Sequence, residues 1–115
     1  MTLPNAKRAF VDDRKLVEYC LNFQNPIGKD KARVFRAALG ITSEIYFVLK
    51  NAILDAVLYE NAEFKRETPY GKLWTVDFEM TYLSQSEIVR TGWIVQNEED
   101  FPRLTTCFIL KNARK

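Results

Sequence analysis

Two groups of charged side chains in this sequence could carry out chemistry. The first is a short segment that contains four cations, Lys29, Lys31, Arg33 and Arg36, with Asp30 as its single acid. Cations at this density can hold a phosphate backbone or an acidic partner. They are equally typical of the solvated face of an amphipathic helix. The sequence leaves both interpretations open.

The second group combines carboxylates with an arginine in the carboxyl-terminal part of the chain: Asp77, Glu79 and Arg90. A carboxylate can act as a general base, and an arginine can stabilise the charge that develops on a phosphoryl group during its transfer. The alternative is a solvated sheet surface on which Glu79 and Arg90 form an ordinary cross-strand ion pair.

The composition excludes several kinds of site. The chain has no histidine, which rules out histidine acid–base catalysis, histidine-containing triads and histidine metal ligands. It has no glycine-rich phosphate loop, and Asp77 and Glu79 alone are a weak signal for a cation, so we expect no metal and no cofactor. Cys20 and Cys107 are far apart in sequence, which favours reduced thiols in a cytoplasmic protein.

The charge and hydropathy of the chain are ordinary. Its 17 basic and 15 acidic residues give a net charge of +2, so only a local patch could indicate nucleic-acid binding. No apolar run approaches the roughly 20 residues that a membrane span needs. We therefore expect a cytoplasmic location and no membrane partner.

Three helices are predicted from apolar residues that recur every three or four positions. The first begins at Asp12 or Asp13 and runs to Phe23. The second lies between Gly28 and Gly40, and the third runs from Thr42 or Ser43 to about Glu63. On the second helix, Ala32, Phe35 and Leu39 are predicted to face the core, whereas Lys29, Arg33 and Arg36 occupy another face.

The apolar period then changes from 3.6 to 2, which predicts strands over residues 72–83, 86–97 and 103–110. On the first strand, alternate residues share an apolar face: Trp74, Val76, Phe78, Met80 and Tyr82. The intervening segment, residues 65–71, is predicted to be a loop. Residues 9–11 could add a short strand.

The fold class is therefore α+β, with about three N-terminal helices packed on one face of a three- to four-stranded antiparallel meander. The chain is predicted to be a single domain, 1–115, with a helical part at about 12–63 and a sheet part at about 72–111. An uncovered edge of the sheet could pair with a second copy, which would give a homodimer.

One strand register gathers the apolar residues on the covered face. It places Tyr82 opposite Glu87 and Gln96 opposite Arg103. The opposite face would then carry the candidate site, with Asp77 opposite Gly92 and Glu79 opposite Arg90. Thr105 and Cys107 would lie beside them, and Gly92 would leave a shallow depression.

Several motifs resemble a known family. The segment "LPNAKRAFVDDRKLVEYCLN" with "GKDKARVFRAALGI" resembles an uncharacterised family of small bacterial proteins that is frequent in cyanobacteria. The same module is similar to the C-terminal domain of some polymorphic toxins. "YGKLWTVDFEM", "VRTGWIV" and "DFPRLTTCFIL" follow this pattern, so the resemblance covers residues 3–110.

Helices followed by a meander are also similar to the barnase–EndoU–colicin–RelE group of ribonuclease toxins. The resemblance implies metal-independent attack of a ribose 2′-hydroxyl on the adjacent phosphate. Without histidine, it implies Asp77 or Glu79 as base and Lys31 or Arg90 as acid or charge stabiliser. Lys31, Asp77 and Arg90 come from the matching motifs, and Glu79 comes from the register alone. Lys29, Arg33, Arg36 and Thr105 would contact RNA or a partner.

Three functions are compatible with these observations. The first is a toxin-like ribonuclease that acts on RNA phosphodiesters and pairs with a small cognate inhibitor protein. The alternative is a non-catalytic protein-binding module, such as an antitoxin, an immunity protein or an inactive toxin-like domain. The third is nucleic-acid binding without cleavage. The sequence alone does not decide whether the protein is an enzyme.

Overall fold

The computed structural model describes residues 1–110 of the 115-residue chain. It has an α+β fold, as predicted, with two α-helices, three shorter helical segments and four strands. The helices are α1 (Lys29–Leu39) and α2 (Tyr46–Ala56), and the strands are β1 (Ala62–Thr68), β2 (Gly71–Tyr82), β3 (Gln85–Gln96) and β4 (Pro102–Ile109). The strands form one antiparallel sheet in the order β1–β2–β3–β4.

Helix α1 agrees with its prediction. Ala32, Phe35 and Leu39 are buried, and they recur at the spacing that places them on one helix face. Gly40 ends the helix in the left-handed conformation, with φ 72°, and its N–H donates to the Arg36 carbonyl at 2.9 Å. Glycine adopts this conformation without the steric penalty of a side chain.

The first predicted helix is shorter and wider than expected. The structure has a π-helix at Lys15–Cys20. The Leu21 N–H donates to the Leu16 carbonyl at 2.8 Å, so the bond spans five residues rather than four. Leu16 and Cys20 are buried as predicted, but the extra residue per turn changes the direction of the side chains between them.

The predicted third helix is wrong at its end. A 3-10 turn at Ser43–Ile45 precedes α2, which ends at Ala56 rather than near Glu63. Strand β1 takes up the last two residues of the predicted helix and the first four of the predicted loop, so the sheet begins at residue 62 instead of 72. Most β1 side chains are exposed, and the strand therefore lacks the alternating apolar pattern that predicts one. Residue 111, the predicted end of the sheet, lies outside the described residues.

The predicted register between β2 and β3 is offset by two residues. Tyr82 pairs with Gln85, not with Glu87, because the turn between the strands is tight. An offset of two residues leaves each side chain on its predicted face, since strand side chains alternate with a period of two. Val76 and Phe78 are accordingly buried, as expected.

A β-bulge changes the predicted faces of β4. Gly92 pairs with Thr106 and Trp93 pairs with Leu104, so Thr105 is the extra residue. The inserted residue reverses the alternation beyond it. Cys107 is therefore buried in the core, and its predicted position beside the candidate site is wrong.

The two edges of the sheet differ in their protection. At β4, the Phe10 N–H donates to the Pro102 carbonyl at 2.9 Å, and the Leu104 N–H donates to the Phe10 carbonyl at 3.0 Å. This single bridge is the short addition expected near residues 9–11. At β1, a bulge between Phe64 and Arg66 and several charged side chains disfavour pairing with another chain.

One core connects the helical segments to the sheet. It includes Leu16, Phe35 and Ile53 from the helices and Val76 and Trp93 from the sheet. Within residues 1–110, no single helix is long and apolar enough to cross a membrane. Helix α1 and residues 43–56 pass that test of length and composition only as a pair bent by 70°.

Candidate functional site

The candidate residues lie in two neighbouring rows across the sheet. The register aligns Glu63, Thr75, Gly92 and Thr106 in one row, and Asp77, Arg90 and Phe108 in the next. Adjacent strands are roughly 4.8 Å apart, so consecutive residues of each row are direct neighbours across the sheet. We call the surface that carries these two rows the outer face.

Lys31 reaches this surface from α1 at the edge strand β4. Its ammonium group donates to the Tyr19 hydroxyl at 3.0 Å and to Thr106 Oγ1 at 3.2 Å. The same nitrogen lies 5.1 Å from the centre of the Tyr19 ring and 5.2 Å from that of Phe108. We call Lys31, Tyr19, Thr106 and Phe108 the lysine cluster.

Among the described residues, the lysine cluster gives the charge of Lys31 no counter-ion. Within residues 1–110, no carboxylate lies within 4.0 Å of the ammonium group. Hydroxyl and aromatic groups stabilise a half-buried cation only in part, and they add no negative charge. The cluster is therefore suited to receive an anion.

The π-helix and Gly28 together place Tyr19. A side chain at Gly28 would put its Cβ 2.2 Å from the Tyr19 carbonyl oxygen, so only glycine allows α1 to begin so close to the π-helix. Lys31 follows one turn later and meets the Tyr19 ring. Lys15 approaches the same ring at 5.9 Å, so two cations flank it.

Asp77 and Arg90 form a two-point ion pair. The Arg90 Nε and Nη2 atoms each donate to a different Asp77 oxygen at 2.8 Å. This bond raises the pKa of the Arg90 guanidinium. The predicted partners were Gly92 for Asp77 and Glu79 for Arg90; both are wrong because of the register offset. Both carboxylate oxygens of Asp77 are therefore occupied by Arg90.

The ion pair lines a depression of about 280 Å³ that extends from the middle of β2 and β3 to the start of β1. Glu63 lies on its β1 side and forms an ion pair with Lys65. That bond lowers the pKa of Glu63, and the positive charge of Arg90 lowers it further. Glu60, Asn61 and Thr75 complete the lining.

Glu79 is exposed and lies opposite Ile88. It forms no hydrogen bond or ion pair with any other described residue. It is two residues from Asp77 on the same strand and so faces the same side of the sheet. Among the described residues, Glu79 is therefore an unpaired carboxylate on the outer face.

Thr105 and Thr106 fill the space beside Gly92. A Cβ at Gly92 would lie 3.0 Å from Thr105 Oγ1 and 3.1 Å from Thr106 Cγ2. The shallow depression predicted at Gly92 is therefore occupied by the bulge. The bulge also directs Thr106 toward Lys31, which links the lysine cluster to the row that ends at Glu63.

The four cations of α1 do not act as one group. Successive residues turn by about 100° around a helix, so Lys31 projects away from Lys29, Arg33 and Arg36. Arg33 Nη1 lies 3.8 Å from Asp30 Oδ1, and the Arg36 guanidinium lies 5.6 Å from the centre of the Phe23 ring. Lys29, Arg33 and Arg36 are exposed on a different side of the helix from Lys31.

The two cysteines lie next to the lysine cluster in sequence and are buried. A hydrogen bond with Cys20, together with burial, raises the pKa of Cys107. A buried thiol of raised pKa is a poor nucleophile. Within the described part of the chain, no group of three histidine, cysteine or acidic residues could hold a metal ion.

Sequence reasoning missed Tyr19, Thr106 and Phe108. The π-helix directs Tyr19, and the bulge directs the other two residues, so the regular periods of helix and strand assign none of them to the site. The adjacent aromatic and hydroxyl residues in "TTCF" were the available signal, but their face depended on the bulge.

Comparison with known proteins gives a family and no function. No curated protein and no solved structure matches the chain. A family model described as "Domain of unknown function (DUF6883)" matches residues 2–111, nearly the whole sequence. The expected membership of an uncharacterised family is confirmed: the chain belongs to the DUF6883 family of domains of unknown function.

Proposed function

We propose that this domain is a metal-independent ribonuclease that acts on RNA phosphodiesters at the outer face. The observation that carries the proposal is the half-buried Lys31 ammonium group, which has hydroxyl partners but no carboxylate partner among the described residues. In RNA, the anionic group that can pair with such an ammonium group is the phosphate. Arg90 supplies a second cation on β3, the strand next to the edge strand β4 that Phe10 covers.

The chemistry is internal attack of a ribose 2′-hydroxyl on the adjacent phosphorus. The 2′-oxygen forms a bond to phosphorus and gives its proton to Asp77 or Glu79. The bond from phosphorus to the 5′-oxygen breaks, and that oxygen takes a proton from Lys31 or from the Tyr19 hydroxyl beside it. Lys31 and Arg90 stabilise the charge on the phosphoryl oxygens between these steps.

The ion pair has a defined part in this scheme. A phosphate that draws one hydrogen bond from Arg90 releases one oxygen of Asp77, so substrate binding would activate the base. Glu79 needs no such release, because it has no partner among residues 1–110. Helical segments packed on the opposite face of the sheet would leave the outer face open to RNA. A ribonuclease of this kind would act in the cytoplasm, where RNA is found.

A specific observation favours the alternative, a non-catalytic protein-binding module. Both oxygens of Asp77 are held by Arg90 at 2.8 Å, which is the arrangement of a stable surface ion pair. This function predicts a tight complex with a small cognate protein and no turnover. In the ribonuclease proposal, the same small protein would be the inhibitor.

The test is cleavage of end-labelled RNA by the purified protein in EDTA. The proposal predicts products with a 2′,3′-cyclic phosphate and a free 5′-hydroxyl. Glu79→Gln and Asp77→Asn then identify the base, since only one of the two should abolish cleavage. Absence of cleavage by a folded protein would favour the binding module instead.

A further inference from the structure

A second cationic surface lies on α1, away from the lysine cluster. Lys29, Arg33 and Arg36 are spaced by four and then three residues, so they form a stripe along one side of the helix. From first to last the stripe rises about 10 Å along the helix axis. All three residues are exposed, and Asp30 is the single described carboxylate within salt-bridge distance of any of them.

An aromatic ring lies beside the stripe. Phe23 is half-buried in the segment that follows the π-helix, and the Arg36 guanidinium lies 5.6 Å from its centre. Phe23, Arg33, Arg36 and Ala37 line an open depression of about 550 Å³. A flat depression with a ring and a guanidinium can accept a nucleobase, which stacks on either group.

We propose that the stripe and Phe23 form an accessory site for single-stranded RNA, which holds the strand outside the cleavage site. The inference rests on the proposed ribonuclease function and extends it to a second part of the substrate. Cations that follow a backbone, together with an aromatic platform, are the features of proteins that bind single strands without sequence preference. An acidic protein would use the cations but would have no use for a base-stacking ring.

The test measures binding of a fluorescent single-stranded oligonucleotide that carries 2′-O-methyl groups. This probe has no free 2′-hydroxyl, so it binds without being cleaved, and binding is separated from catalysis. The variant Lys29→Gln/Arg33→Gln/Arg36→Gln removes the stripe. The matched control is Lys7→Gln/Arg66→Gln/Lys72→Gln, which removes three other exposed cations and changes the net charge equally.

The expected result is a change in salt dependence. Each phosphate contact on a single strand contributes roughly 0.7 to the slope of log affinity against log salt, so three contacts contribute about 2. Between 50 and 200 mM salt, the wild-type protein should therefore lose roughly 20-fold more affinity than the stripe variant. The control should keep the wild-type slope, and Phe23→Leu should bind roughly tenfold more weakly at every salt concentration.

Equal slopes for the stripe variant and the control would overturn the inference. So would equal binding of polyglutamate and oligonucleotide with no effect of Phe23→Leu, because that pattern indicates an acidic protein. The outcome is independent of the cleavage assay. If binding depends on the stripe but RNA is not cleaved, the ribonuclease proposal is refuted and the accessory RNA site is retained. If RNA is cleaved but binding does not depend on the stripe, the accessory site is refuted and the ribonuclease proposal is retained.

Discussion

Three threonines of the sheet, Thr81, Thr91 and Thr106, form hydrogen bonds in different settings. Substituting each in turn distinguishes a hydrogen bond that stabilises the fold from one that serves RNA cleavage. The Thr91 side chain is buried; its hydroxyl donates to the Val76 carbonyl at 2.8 Å and accepts from Trp93 Nε1 at 2.7 Å. The substitution Thr91→Val keeps the shape of the side chain but removes both bonds. It leaves the indole N–H of Trp93 in the core without an acceptor.

The cost can be worked out from these contacts. An unpaired buried donor together with a lost second bond costs roughly 3 kcal/mol. The methyl group that replaces the hydroxyl returns roughly 0.8 kcal/mol through apolar burial. The net loss is therefore about 2 kcal/mol, which lowers the melting temperature of a domain of this size by about 8 °C.

The other two hydroxyls provide the controls. Thr81 Oγ1 lies 2.7 Å from Ser86 Oγ at an exposed position, so Thr81→Val should change stability by less than about 0.5 kcal/mol. Thr106→Val removes an acceptor of Lys31 at a half-buried site. It should change stability little but reduce RNA cleavage, because Lys31 loses a contact that fixes its position.

Thermal melting, urea unfolding and RNA cleavage at 25 °C, measured for all three variants, test this reasoning. Thr91→Val should have the lowest melting temperature and a wild-type cleavage rate. Equal melting temperatures for Thr91→Val and Thr81→Val would refute the stability argument. A wild-type cleavage rate in Thr106→Val would refute the role given to its contact with Lys31.

Three further predictions follow from single contacts. A double-mutant cycle of Asp77→Asn and Arg90→Gln, measured by urea unfolding, should give a coupling of roughly 0.5–1 kcal/mol, because about a third of each side chain is exposed; a coupling above about 2 kcal/mol would indicate a buried pair instead. The hydrogen bond from Arg103 lowers the pKa of Glu99 below its ordinary 4.5, so the stability it contributes is present above pH 4.5 and is lost as the pH falls through the lower folded-state value. Glu99→Gln should therefore flatten the pH dependence of unfolding in this acidic range, and an unchanged profile would count against the bond. Gly40→Ala should cost about 1 kcal/mol in urea unfolding, because φ is 72° and no atom within 4 Å could clash with the new methyl group; a stabilised variant would contradict that conformation.

The faces of the central strands were predictable from sequence because burial alternates along them. The register of β2 and β3 was offset by two residues, yet Val76 and Phe78 still face the core. An even offset preserves alternation, so hydrophobic pattern alone cannot distinguish the two registers. The partner of Arg90 depended on this distinction, and it changed from Glu79 to Asp77.

The rest of the site depends on interruptions of regular structure. One extra residue at Thr105 turns Cys107 into the core and Thr106 toward Lys31. The π-helix similarly directs Tyr19 to the same cation. Such interruptions are set by packing between distant segments rather than by local period, so they were not visible in the sequence. Strand β1 was missed for a related reason. It is held by backbone pairing with β2, and its mostly exposed side chains provide no apolar face that would predict a strand.

The most direct test of the ribonuclease proposal compares the RNA cleavage rates of Lys31→Met and Lys72→Met in EDTA. Both substitutions remove one ammonium group, but Lys72 is exposed on β2 and belongs neither to the lysine cluster nor to the cationic stripe of α1. Loss of one group that stabilises the reacting phosphate lowers the rate roughly 100- to 1,000-fold. We expect that loss in Lys31→Met alone, with a wild-type cleavage rate in Lys72→Met. Equal cleavage rates for the two variants would contradict the central claim.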